Sequence, residues 1–100
     1  MAKKVKLTVN NNPIELDFFV HEYLEKVVGG IVASLNDTGE IENLELTIDN
    51  SGQVSIHLNE ADVPLKEFPV QIIKSTIDGI LVPLRGVEGS INTVEIVIKS

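Results

Sequence analysis

Chemistry in this chain would have to come from few side chains, because it holds two histidines and no cysteine. The missing thiols exclude disulfides, thiolate metal sites, Fe–S clusters and cysteine nucleophiles. His57 takes an outward position in the alternating run Val54-Ser55-Ile56-His57-Leu58. If this run pairs with Leu44 to Ile48 so that partner numbers sum to 102, His57 stands opposite Glu45, with Lys6 nearby on the first strand. Glu45, His57 and Lys6 on an open sheet face would suit a small anion or a metal. The plainer reading is an exposed cross-strand ion pair worth about 1 kcal/mol or less.

Asp17, His21 and Glu25 are spaced by four and would stack along one side of a helix, a carboxylate–imidazole–carboxylate face. A closed metal site needs further ligands from another element. Asp17 is better placed as a helix N-cap, and Glu22 with Lys26 forms an ordinary i, i+4 surface pair. The glycines offer no phosphate cradle: Gly29-Gly30 lies inside an apolar helical pattern, and Gly86-Val87-Glu88-Gly89 carries an acid where a phosphate loop has none. There is no GxSxG elbow either. No catalytic residue, metal or cofactor is expected, and enzyme activity is not the favoured reading.

The elements that position these residues come as a doubled unit. Shifting residues 5–35 by 49 positions lays Val5 on Val54, Asn10 on Asn59, Leu16 on Leu65, Phe19 on Phe68, Gly30 on Gly79 and Ile31 on Ile80. After a one-residue insertion the shift becomes 50, and Ile41, Glu45 and Ile48 fall on Ile91, Glu95 and Ile98. The chain is therefore read as one domain of two internal repeats, about 4–50 and 53–100. Under the same shift, Asp17, His21 and Glu25 become Lys66, Val70 and Lys74, two of which would repel a cation.

Each half opens and closes with period-two alternation: Val5-Leu7-Val9 and Leu44-Leu46-Ile48, then Val54-Ile56-Leu58 and Val94-Ile96-Ile98. Between them Phe19, Tyr23, Val27, Ile31 and Leu35 recur at helical spacing beside Val20, Leu24, Val28 and Val32. Phe68, Ile72, Ile73, Ile77, Ile80, Leu81 and Leu84 repeat the pattern; Pro69 suits the opening turn of that helix, and Pro83 ends it near Val82. Asp49-Asn50-Ser51-Gly52 is a tight turn joining the halves.

The order βαββαβ predicts an α+β, ferredoxin-like fold. Its four-stranded antiparallel sheet would carry both helices on one face, with strands one and three central. The alternative is a doubled ββαβ unit, because Asn10-Asn11-Asn12-Pro13 followed by Ile14-Glu15-Leu16, and its counterpart Asn59 to Leu65, can each fold back as a short extra strand. A glycine inside a helix costs about 1 kcal/mol against alanine. The match of Gly30 to Gly79 therefore predicts a close approach, where the helices cross each other or meet the sheet.

A net charge of −7, with 15 acids against 8 bases, argues against a nucleic-acid backbone as partner. The sheet face expected to stay open holds no aromatic residue on which bases could stack. No run approaches the roughly 20 apolar residues of a membrane span, and Met1-Ala2-Lys3-Lys4 leads into an alternating strand instead of a signal peptide. The expectation is a soluble, cytoplasmic protein. The helical apolar arcs sweep about 180° or more, wider than the roughly 100° a helix on a core requires. Val70, Ile77 and Leu81 form one margin of the second arc and are the expected contact strip. The function expected is association, as a homo-oligomer or with another protein. The alternative is a small-ligand-binding regulatory module with its ligand near Asn10 and Asn59.

Overall fold

Two adjacent asparagines turn the first strand back on itself. In a computed structural model, which describes residues 4–35, 41–65, 67–84, 86–87 and 89–99, Asn10 and Asn11 have φ of 51° and 65°. Two consecutive left-handed residues make the tight hairpin turn whose twist matches that of the flanking strands, and asparagine tolerates this conformation better than most residues. Of Leu35, Glu67 and Phe68 only the backbone is described, and Lys66 and Glu88 lie outside the described residues.

The turn joins β1 (Lys4–Val9) to β2 (Asn12–Ile14). The same device recurs at Asn59 and Glu60, with φ of 48° and 72°, between β4 (Val54–Leu58) and β5 (Ala61–Val63). With α1 (Phe18–Leu35), β3 (Asn43–Ile48), α2 (Glu67–Leu81) and β6 (Val94–Lys99), the element order is ββαβ twice over. The sheet is six-stranded and antiparallel, in the order β2-β1-β6-β3-β4-β5.

This corrects the four-stranded, ferredoxin-like expectation in two ways. Two short strands are added, and the central strands are the closing strands β3 and β6, not the first and third of the long strands. The hairpins are the physical reason: β2 occupies one edge of β1 and β5 one edge of β4, so neither long strand is free to lie at the centre. Pro13 fits β2 because an edge strand can spare a backbone N–H. The register of β3 with β4 is the one whose partner numbers sum to 102, with Leu44 opposite Leu58 and Glu45 opposite His57.

Each closing strand pairs only with strands of the other half. β3 lies between β6 and β4, while β6 lies between β1 and β3. One row of the core face runs Leu7, Ile96, Leu46, Ile56 across the four long strands, extended by Ile14 and Val63 from the edges. Onto this face pack Leu24, Val28 and Val32 of α1 and Ile73, Ile77 and Leu81 of α2, forming one aliphatic core with no buried polar side chain among the described residues. α1 lies over β1 and α2 over β4. The result is a slab of 35 × 34 × 19 Å, one sheet and one helical layer thick.

Local signals set the helix ends. Asp17 caps α1, its Oδ1 accepting the Val20 N–H at 2.8 Å while its carbonyl accepts His21 N–H at 3.0 Å. α2 carries Pro69 in its first turn and stops at Leu81, two residues before Pro83.

In the central turn, Asp49 Oδ1 accepts the Ser51 hydroxyl at 2.6 Å, the Ser51 N–H at 2.9 Å and the Gln53 N–H at 3.0 Å. The Ser51 hydroxyl foremost, then the Gln53 N–H, holds the Asp49 carboxyl below its ordinary value. A depressed folded-state value means that the stabilisation is present above the unfolded carboxyl's titration. It is lost as pH falls through the lowered value. Asp49→Asn is therefore expected to flatten the loss of stability as pH falls below the unfolded carboxyl's value of about 4, measured by urea unfolding at a series of pH values. An unchanged slope would contradict this.

Candidate functional site

The open sheet face holds the residues that chemistry would need, in one row across five strands: Lys6, Val97, Glu45, His57 and Asp62. His57 Nδ1 lies 2.5 Å from Asp62 Oδ1, with both side chains well exposed. An exposed pair of this kind adds little to stability. Asp62 lies on β5, the short strand of the ββαβ alternative, whose three residues show no alternation that would assign it to a face. Lys6 is separated from Glu45 by the whole of β6, two strand spacings or about 10 Å. The Glu45, His57 and Lys6 trio is thus spread along a row instead of gathered round a point. The depression beside it, about 270 Å³, is shallow and lined by Glu45, His57, Glu60, Val97 and Lys99 among others. Among the described residues no three histidines or carboxylates are grouped to hold a metal.

Asn10 and Asn59 carry out matching structural work. Asn10 Oδ1 accepts the N–H groups of Asn92 at 2.7 Å and Thr93 at 3.0 Å, its Nδ2 donates to the Ser90 carbonyl at 2.9 Å, and its backbone N–H donates to the Thr93 carbonyl at 2.8 Å. Asn59 Oδ1 accepts the N–H groups of Glu42 and Asn43, each at 2.9 Å, and its backbone N–H donates to the Asn43 carbonyl at 2.8 Å. Each amide ties the hairpin of one half to the closing strand of the other. The proposed ligand contacts are engaged with the protein's own backbone.

The Asp17, His21 and Glu25 face is likewise divided among structural tasks. Asp17 is the cap already described, and His21 Nε2 accepts the Val5 N–H at 3.2 Å. β2 pairs only with Leu7 to Val9, so Val5 lies beyond its reach and the imidazole covers that stretch of strand edge. The largest cavity, about 940 Å³, is an open hollow between the segment from Asn12 to Asp17 and Pro83, Leu84 and Gly86. Its carboxylates are Glu15 and the capping Asp17, with no histidine or lysine converging on them. Gly86 and Gly89 have positive φ and make turns.

The helices depart furthest from expectation. Ile77 and Leu81 are fully buried and Val70 is half-buried, so the strip expected to meet a partner belongs to the core or its margin. The reason is rotational: the arc facing the sheet is centred on Leu24, Val28 and Val32 in α1 and on Ile73, Ile77 and Leu81 in α2. The opposite arc faces outward and carries Phe18 (82% exposed), Phe19 (70%) and Tyr23 (46%) on α1, and Ile72 (48%) on α2, with Val82 (67%) just beyond its end. The Phe19 and Tyr23 rings stack with centroids 5.6 Å apart and planes 24° apart. Every aromatic side chain among the described residues therefore lies on the surface.

The chain matches no known protein family, no curated protein and no solved structure. No helix among the described residues is long and apolar enough to cross a membrane.

Gly30 and Gly79 lie on this outward arc, and a Cβ added to either would meet nothing within 4 Å. The expected close approach to the other helix or to the sheet is absent. Glu22 and Lys26, 3.7 Å apart, flank the arc of α1. That pair and Gly30 were the sequence signals of an outward face, since Gly30 falls within about 40° of Phe19 and Tyr23 at 100° per residue.

The asparagine clamps are open to direct test. Asn10→Ala removes the side-chain oxygen that accepts two backbone N–H groups and puts a Cβ without polar compensation at φ of 51°, so a loss of about 2 kcal/mol is expected. Asn10→Gly, which keeps the conformation at no steric cost, should lose about half of that. Chemical denaturation compares the two; equal losses would show that the left-handed turn costs alanine nothing.

Proposed function

We propose that this protein is a protein-association module whose working surface is the outer face of the helical layer. The observation that carries this reading is the placement of Phe18, Phe19 and Tyr23, which are exposed on α1 above a core built from aliphatic side chains. Aromatic side chains bring the largest apolar area to burial, and leaving Phe18, Phe19 and Tyr23 outside the core forgoes that stabilisation. Ile72 at the matching place on α2 and Val82 beyond its end extend the apolar surface to the second half. Interface cores are enriched in aromatic residues and depleted of charge, and the outward arc of α1 has this composition, with Lys26 as its one cation.

The sheet's other face supports no equal claim. It is lined by lysines, carboxylates, Thr8, Thr47 and Ser55, and its closest side-chain pair, His57 with Asp62, is solvent-exposed. The small-ligand reading loses its support because Asn10 and Asn59 hold backbone groups.

A photo-activatable phenylalanine analogue placed at Tyr23, irradiated in cells, is expected to give discrete protein adducts, whether the captured protein is another copy or a different chain. The same analogue at Ser55, exposed on the open sheet face, is the control. Adducts from position 55 and none from position 23 would overturn the proposal.

A further inference from the structure

We propose that the outer face of α1 docks onto the same face of a second copy of this chain, antiparallel, with Phe18 and Phe19 of each copy resting on Gly29 and Gly30 of the other. This rests on the reading of the helical face as an association surface and names its occupant.

The glycines are the first argument. Nothing in the fold requires Gly30 to lack a side chain, because an added Cβ would meet nothing within 4 Å. At Gly29 it would touch only Ile41 Cδ1, at an ordinary 3.7 Å. Two adjacent mid-helix glycines nevertheless carry a helix-propensity cost of about 1 kcal/mol each against alanine. What Gly30 provides is a flat stretch of backbone on the outside of the molecule, with the half-buried Gly29 at its margin. The exposed bulk of Phe18 and Phe19 sits 11 residues earlier on the same helix, three turns away and so on the same side, about 16 Å along the axis. A projection and a recess displaced along one helix fit each other when two copies run antiparallel, and the fit occurs twice, as a two-fold contact demands.

Charge selects the same register. In an antiparallel pair whose facing positions sum to 49, Phe19 falls on Gly30 and Tyr23 on Lys26 of the second copy. Glu22 then lies beside Lys26 of that copy. Glu22 and Lys26, 3.7 Å apart within one copy, would pair equally well between copies. A parallel in-register pair would set Glu22 against Glu22 and Lys26 against Lys26.

Area sets the scale. A two-fold axis running across both helices stacks α2 on α2 as well, where Ile72 and Gly79 hold the places of Tyr23 and Gly30. With 18 and 15 residues, the helical layer is about 27 Å long and 20 Å wide. Two such faces bury on the order of 1,000 Å², enough for a specific dimer at the small end of the usual range.

The test is sedimentation equilibrium on the full chain, from micromolar to millimolar concentration. A monomer–dimer equilibrium is expected. Glu22→Lys and Lys26→Glu should each weaken it about tenfold by placing like charges in register, and an equimolar mixture of the two variants should recover the wild-type affinity. Gly30→Leu should also weaken the dimer at least tenfold while leaving the thermal midpoint unchanged or raised. That combination shows that the recess serves association and not the fold of one copy. A wild-type chain that stays monomeric overturns the inference, as does a mixture no tighter than its components or a Gly30→Leu dimer as tight as wild type. Cross-linking from position 23 to a different protein alongside a monomeric chain would defeat the second copy and leave the association surface standing.

Discussion

The architecture depends on one contact made twice: a left-handed asparagine whose side-chain amide reaches across from a hairpin to the strand of the other half. Asn10 turns β1 into β2 and grips the chain at Asn92 and Thr93 as it enters β6; Asn59 does the same for Glu42 and Asn43 at the start of β3. Asparagine suits the position because it tolerates positive φ and offers both an acceptor and a donor. With those residues fixed, the register of the two central strands follows, and with it the alternation that sends Leu44, Leu46, Ile48, Val94, Ile96 and Ile98 to the core.

A doubled core of this kind leaves its helices with a choice the sheet does not have. A strand alternates, so an apolar residue is assigned to one face or the other by register alone. A helix that is apolar nearly all round can rotate. α1 is set by Asp17, whose carboxylate caps it at the Val20 N–H, by His21 over the edge of β1 and by the aliphatic wedge of Leu24, Val28 and Val32. Branched aliphatic side chains fill a thin space between one sheet and one helical layer, while rings placed there would hold the layers apart. Among the described side chains the aromatics Phe18, Phe19 and Tyr23 lie outside, and Gly30 lies beside them.

Much of this was legible in the residues, and the parts that were not share a cause. The four long strands announce themselves by alternation, the Asp49 turn by its composition, and the repeat through Asn10 and Asn59, so the β3–β4 register could be written down in advance. β2 and β5 enter only through the alternative of a doubled ββαβ unit, since three residues are too few to carry a period and only the turns at Asn10 and Asn59 mark them. The strand order depends on those two edges. The helical face was misjudged because hydrophobic spacing reports how wide an apolar arc is, not which part of it meets the sheet. Glu45 and His57 lie side by side as their register predicts, while the closest partner of the His57 ring is Asp62 on the short strand β5.

The interleaving of the halves bears on how the chain is made. β6 is the last strand in sequence and occupies the middle of the sheet, with β1 on one side and β3 on the other. As the polypeptide emerges from a ribosome, β1, β2, α1, β3, β4, β5 and α2 are all available before the strand that joins them. Until Val94 to Lys99 arrives, the β1–β2 ribbon and the β3–β4–β5 ribbon share no ladder hydrogen bond, and each shows an apolar face to water. Loss of β6 would take the keystone from the middle of the sheet instead of fraying an edge, and would leave two ribbons with apolar faces open to water.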